Sequence, residues 1–307
     1  MKHSWRITII LLAMFLVTQI IGLAVIHAYV TQELPYGMQP PELETQKDFF
    51  SMLPMIGIAF VIAIVLVLLL TKIKAALFLR LWFFIVVILA IGITLNSLLF
   101  YFKIPYTNII PYIAALIALP LAFLKIFKRN LLVHNITELM IYPGIAAVFV
   151  PILNIWTIII LLILISIYDI YAVWHSGFMQ KMAKFQINEL KFFAGFFVPY
   201  LGKKQRDKIK ALKQKYKKKK IPENVLKKKK IQVSLAILGG GDVIFPIIAA
   251  GIFLKVFGLI SALLITICAT IALGALFVAA RKGKFYPAMP FLSAGIFAGM
   301  LLSWILV

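Results

Sequence analysis

Residues 154–176 read NIWTIIILLILISIYDIYAVWHS, and residues 231–254 read IQVSLAILGGGDVIFPIIAAGIFL. Each run has the length and apolarity of a membrane crossing, which takes roughly 20 mainly apolar residues. Each also carries one carboxylic acid, Asp169 in the first and Asp242 in the second. An acid at the centre of a membrane helix costs about 2.5–3.5 kcal/mol on insertion scales, so such groups face a bundle interior or a wet cavity. Two spans that both accept this cost point to an all-α, polytopic membrane protein whose acids face its interior.

Composition agrees. The 307 residues are 63% hydrophobic and 14% charged, whereas soluble chains are about 45–50% apolar and about 25% charged. The net charge of +22 resembles that of a nucleic-acid binder, but most of the Lys and Arg fall between residues 181 and 230, flanked by apolar runs. A basic loop tethered between spans is a topology signal. No recognised nucleic-acid module accompanies the charge, so no nucleic-acid partner is expected. Cys268 stands alone in an apolar run, and the four histidines (His3, His27, His134, His175) lack metal-ligand spacing. Neither a disulfide framework, a metal site nor a cofactor is expected.

The length rule yields nine spans, at 6–29, 50–71, 76–101, 107–127, 134–152, 154–176, 231–254, 256–280 and 286–306. The first has a basic start (Lys2, Arg6) but no small-residue cleavage site before Thr31–Glu33, so it reads as a retained helix. Every second connection is basic: Lys72, Lys74 and Arg80; Lys125, Lys128 and Arg129; the large loop; then Arg281, Lys282 and Lys284. The first connection is acidic, with Glu33, Glu42, Glu44 and Asp48. Positive-inside reasoning places the amino terminus and the 177–230 loop in the cytoplasm and the carboxyl terminus outside, as in a cell-membrane protein. The chain divides into an N-terminal six-helix membrane region (1–176), a basic cytoplasmic loop (177–230) and a C-terminal three-helix region (231–307). Within the loop, Phe178–Leu201 interleaves aromatic and charged residues and reads as an interfacial helix. The Lys217–Lys220 and Lys227–Lys230 runs suit anionic headgroups.

Counted from the cytoplasmic span ends at about 1.5 Å per residue, Asp169 lies about 10 Å deep and Asp242 about 16 Å. Antiparallel neighbours would bring them together. Two carboxyls in contact cannot both ionise cheaply, so one keeps a proton. An ionised and a protonated carboxyl side by side can activate water and polarise a peptide carbonyl. Around them, Gly239-Gly240-Gly241 weakens a helix and permits close backbone approach. Tyr168 precedes the first acid, and Tyr286-Pro287-Ala288-Met289-Pro290 breaks the start of the last span. Freed backbone groups there could hydrogen-bond an extended substrate, as a sheet edge does.

Tyr168-Asp169, Gly239-Gly240-Gly241-Asp242 and Pro287-Ala288-Met289, in that order and on those spans, resemble the YD, GxGD and PAL motifs of the presenilin and signal peptide peptidase family. The resemblance implies a presenilin-like, nine-span intramembrane aspartyl protease. Asp169 and Asp242 would be its catalytic pair, and Tyr168, the three glycines, Pro287, Ala288 and Met289 would line the substrate. Met289 stands where that family has Leu, and Gly240 fills the variable position with the smallest residue. A cytoplasmic loop between the catalytic spans, and Pro290 after the triplet, match the presenilin branch; the short chain resembles its compact microbial members. Transmembrane proteins or peptides are the expected substrates, lipid the expected surroundings, and no obligatory subunit is evident. The rival reading is a proton- or cation-coupled transporter or channel using the same acids, for which the PAL-like segment has no evident use.

Overall fold

The computed structural model describes residues 5–41, 45–72, 76–102, 109–128, 130–175, 194–200, 234–280 and 286–306. Among these lie nine α-helices: α1 (Trp5–Thr31), α2 (Gln46–Lys72), α3 (Ala76–Tyr101), α4 (Ile110–Phe127), α5 (Leu131–Phe149), α6 (Ile155–Trp174), α7 (Gly240–Phe257), α8 (Leu259–Ala279) and α9 (Met289–Leu306). Eight are long and apolar enough to cross a membrane, and the ninth, α2, has 27 residues. The all-α polytopic class holds.

Helix starts follow from capping chemistry. Asn130 accepts the Leu132 N–H at the head of α5. At the Pro151–Asn154 junction a 3-10 turn, Val150–Ile152, closes α5, and Asn154 and Thr157 form a reciprocal capping box that opens α6. The short junction between these two spans is thus a stop followed directly by a start.

Two sequence expectations are corrected. The run 231–254 is not helical throughout: Ser234–Gly239 forms strand β2, and α7 begins only at Gly240. The Phe178–Leu201 segment was expected as one helix, yet its residues Gly195–Tyr200 form strand β1; residues 178–193 and Leu201, like both lysine runs, lie outside the described residues. The strands pair antiparallel from Gly195↔Gly239 to Tyr200↔Ser234. Hydropathy cannot separate a short buried strand from a helical turn of the same composition.

The bundle is organised around α7, with 61% of its membrane window buried against 28% for α6. Ile247, Ile265, Leu273, Leu292 and Ile296 of α7, α8 and α9 are fully enclosed in one core, Ile247 against Gly22 of α1. Helix α1 packs across α5, α7 and α8, while α3 packs on α4 and α5. Backbones approach closely where glycine permits it: Gly144 on α5 sits against the Ala90 carbonyl of α3, beside a Thr94 hydroxyl that donates to the Met140 carbonyl (2.6 Å).

A methyl at Gly144 would strike backbone, which cannot rotate away. Gly144→Ala should therefore lower stability by about 1–3 kcal/mol, read as a lower midpoint of thermal unfolding in detergent. Gly57→Ala on α2, where a Cβ meets nothing within 4 Å, should leave the midpoint unchanged.

Candidate functional site

The ladder register decides what each strand edge can do. In an antiparallel pair, residues alternate between exchanging both hydrogen bonds and pointing both groups outward. On β1 the Phe197 N–H donates to Asn135 Oδ1 (3.0 Å) and the Phe197 carbonyl accepts from Asn135 Nδ2 (2.8 Å), so Phe197 faces outward. Gly195 also faces outward: its carbonyl meets His134 Nε2 at 2.8 Å and its N–H donates to Glu138 Oε1 at 3.4 Å. The outer edge of β1 is therefore closed by side chains of α5.

By the same register, Ile237 and Gly239, opposite Phe197 and Gly195, point their backbone groups away from β1. Among the described residues no strand pairs with that edge of β2. Phe196, Val198, Ala236 and Leu238 bury one face of the hairpin in the core. Ile237, on the other face, is 39% exposed.

The open edge runs into Asp242. Gly239 is the N-cap of α7, which makes Asp242 the third helical residue. Its carboxylate turns back to accept the Gly239 N–H, as an acid at this position does in a capping box, and so satisfies an otherwise orphaned donor. Asp242 therefore lies in the first turn of α7, not eleven residues into a helix, and the depth count from residue 231 does not apply. Four residues on, Pro246 lies inside α7 and supplies no N–H to the Asp242 carbonyl. Gln19 of α1, fully buried, donates to the neighbouring Val243 carbonyl (3.0 Å).

Asp169 sits near the C-terminal end of α6 and is 4% exposed. Its Oδ2 accepts the Met289 N–H at 3.0 Å, and the Ala288 N–H also points to it. Pro287 leaves these donors free by breaking the chain just before α9. The segment is tied to α6 again one turn away, where the Ser166 and Ser293 hydroxyls meet at 2.9 Å. Asp169 and Asp242 lie near enough for the charge of one to act on the other.

The structure thus brings together Asp169, Asp242, Gly239, Ala288 and Met289, with Tyr168 half-buried beside Asp169 and Pro287 buried behind it. Of the other glycines, Gly240 has no room for a side chain because Tyr142 lies against it, while a Cβ on Gly241 would meet only Phe245 at 3.9 Å. Sequence reading missed the α5 residues His134, Asn135, Glu138 and Tyr142, and Lys125 of α4. Their signal was present: positions 134, 138 and 142 share one helix face, and a span with a polar stripe has something polar to meet. Among the described residues no group of three His, Cys, Asp or Glu could hold a metal ion.

A family described as signal-peptide peptidase, presenilin aspartyl protease matches residues 12–307. Two solved structures, both described as a presenilin family intramembrane aspartate protease, share the fold at 18% identity. The one in the C222 space group has a TM-score of 0.63 and covers 98% of this chain and 99% of its own. The one in the P2 space group has a TM-score of 0.61, covering 97% of each chain. No curated protein matches the chain.

Ser293→Ala removes one hydroxyl that ties α9 to α6. The expected loss is about 0.5–1.5 kcal/mol, measured by thermal unfolding in detergent, with helix content unchanged by circular dichroism.

Proposed function

The chain belongs to the signal-peptide peptidase, presenilin aspartyl protease family, and from that premise we propose that Asp169 and Asp242 form the dyad with which it hydrolyses peptide bonds of transmembrane substrates. The observation that carries this reading is the convergence of Asp169, the Ala288–Met289 backbone and the Gly239–Asp242 turn at one end of an open strand edge.

The dyad carries one proton between two carboxyls. The ionised carboxyl takes a proton from water as the water oxygen attacks the scissile carbonyl carbon, and the protonated one gives its proton to the carbonyl oxygen. Collapse of the tetrahedral diol breaks the C–N bond; one dyad carboxyl protonates the departing amine and the other recovers a proton from the diol. Water is consumed, and an acid and an amine are released. Backbone donors on each carboxyl fix its rotamer, so neither must reorganise when substrate arrives.

A helical substrate shields its own peptide bonds, so it must first unwind. Its freed N–H and C=O groups then need partners in a site lipid surrounds. The outward Ile237 N–H and carbonyl supply them, and a strand added there runs toward Gly239 and Asp242. The acids of α6 and α7 stand at the ends of those helices that flank the 177–230 loop, which positive-inside charge places in the cytoplasm. Cleavage therefore falls in the cytoplasmic half of the bilayer, in a presenilin-like orientation, with anionic lipid at the loop's lysine runs. The single chain acts without further subunits.

The test is cleavage of a single-span substrate by purified protein in detergent. Asp169→Ala and Asp242→Ala should each lower the rate about 100-fold or more with folding intact. Cleavage that persists in either variant sinks the dyad; proton or cation flux into liposomes that depends on both acids, without cleavage, establishes transport instead.

The edge is tested separately by Ile237→Pro, which removes an outward N–H but none from the β1–β2 ladder. Loss of one backbone hydrogen bond to substrate, worth about 0.5–1.5 kcal/mol, predicts a kcat/KM lower by roughly two- to tenfold. An unchanged kcat/KM would show that substrate does not add to β2.

A further inference from the structure

Outside the dyad, the most heavily polar site inside the described bundle is on α4 and α5. Lys125 and Glu138 form an ion pair whose side chains are 3% and 2% exposed. His134, one turn before Glu138, lies 3.4 Å from Lys125 Nζ through Nδ1 and 3.6 Å from Glu138 Oε1 through Nε2. A buried ion pair is a poor source of stability, since well-packed apolar residues of the same size usually serve as well or better. Its presence therefore calls for a role that apolar side chains cannot fill.

That role is visible in what the cluster holds. The Glu138 oxygen paired with Lys125 also accepts the Gly195 N–H, and His134 meets the Gly195 carbonyl. The His134 ring stacks on Phe197 with centroids 4.9 Å apart. Asn135, the next residue on α5, takes both backbone groups of Phe197. These contacts fix β1 in register on α5, and the ladder passes that register to β2.

One turn further along the same face of α5, Tyr142 is 3% exposed and meets the ring of Phe196 edge-on. Its ring and hydroxyl occupy the space where a Gly240 side chain would stand, both 2.9 Å from that Cβ position. The Tyr142 hydroxyl is buried without a hydrogen bond of normal geometry. Its charged neighbours are Glu138 and Asp242. A single helix face thus contacts the beginning of the hairpin and the turn that carries Asp242.

We propose that Lys125, His134, Glu138 and Tyr142 are positioning residues for the dyad: an ion-paired clamp that seats β1 on α5 and, through the Tyr142 ring against Gly240, sets where the Asp242 turn stands relative to Asp169. This rests on the dyad reading above. None of the four touches Asp169, and the clamp acts through Gly195, the ladder and Gly240.

The discriminating variant is the double replacement Lys125→Met with Glu138→Met, which keeps volume and removes both charges together. A merely structural pair predicts a folded, fully active protein. The clamp predicts a folded protein with helix content unchanged by circular dichroism, kcat for the single-span substrate down at least tenfold, and KM within twofold. Backbone amide exchange in residues 195–200 and 236–242 should also rise in the intact protein, with α8 and α9 unchanged. Lys125→Arg, which retains the pair, should keep kcat within about twofold of wild type. Tyr142→Leu, which leaves the ion pair intact, should lower kcat by itself, so the proposal stays testable if the double variant does not fold.

Wild-type kcat and wild-type hairpin exchange in the double variant would overturn the clamp. A raised KM with unchanged kcat would overturn its assignment to Asp242. If wild-type protein shows no aspartate-dependent cleavage, the dyad reading fails, yet the exchange measurement still decides whether the cluster holds the hairpin.

Discussion

Lipid offers no hydrogen bonds, and every backbone N–H and C=O in the bundle answers to that fact. Helices meet it internally; a two-stranded hairpin cannot, because each strand leaves one edge unpaired. The arrangement around β1 and β2 is a solution to this problem. Helix α5 offers Asn135, His134 and Glu138 to one edge. The Asp242 carboxylate takes the Gly239 N–H at the end of the other. Among the described residues no strand answers the stretch of β2 around Ile237, the place where the proposed unwound peptide would add.

The same constraint explains the PAL-like segment. A chain break before α9 exposes the Ala288 and Met289 N–H groups, and Asp169 accepts both. Each acid is thus also a structural acceptor for a place where regular structure stops. The proposed chemistry is built from the two interruptions of the bundle, a strand-to-helix junction and a proline-broken helix start. The Ser166–Ser293 contact and the Gln19 bond to Val243 hold these interruptions to their neighbours.

Most of the bundle was legible in the sequence, because span-length apolar runs separated by alternating basic and non-basic connections admit few other readings. The two acids stood out for the reason that makes them costly. The hairpin did not stand out: Leu235 to Leu238 is as apolar as any helical turn, and its partner strand lies beyond a long basic loop. Counting 231–254 as one helix then carried Asp242 too far from the span's start. Lys125 was taken for a loop charge, His134 was read only as a histidine without metal-ligand spacing, and Asn135 and Glu138 were not singled out. Their meaning depends on β1, whose pairing no local pattern announces. Gly240 read as the smallest residue at a variable position; the structure shows the space for a side chain there already taken by Tyr142.

Hydrolysis in an apolar setting consumes a molecule that the surroundings exclude. Pro246 bears on this supply. Because it has no N–H, the carbonyl of Asp242 is denied its regular helical donor, and in a membrane helix such a carbonyl is one that ordered water can answer. The proline thus leaves a main-chain acceptor without its helical donor on the very residue whose side chain would activate water.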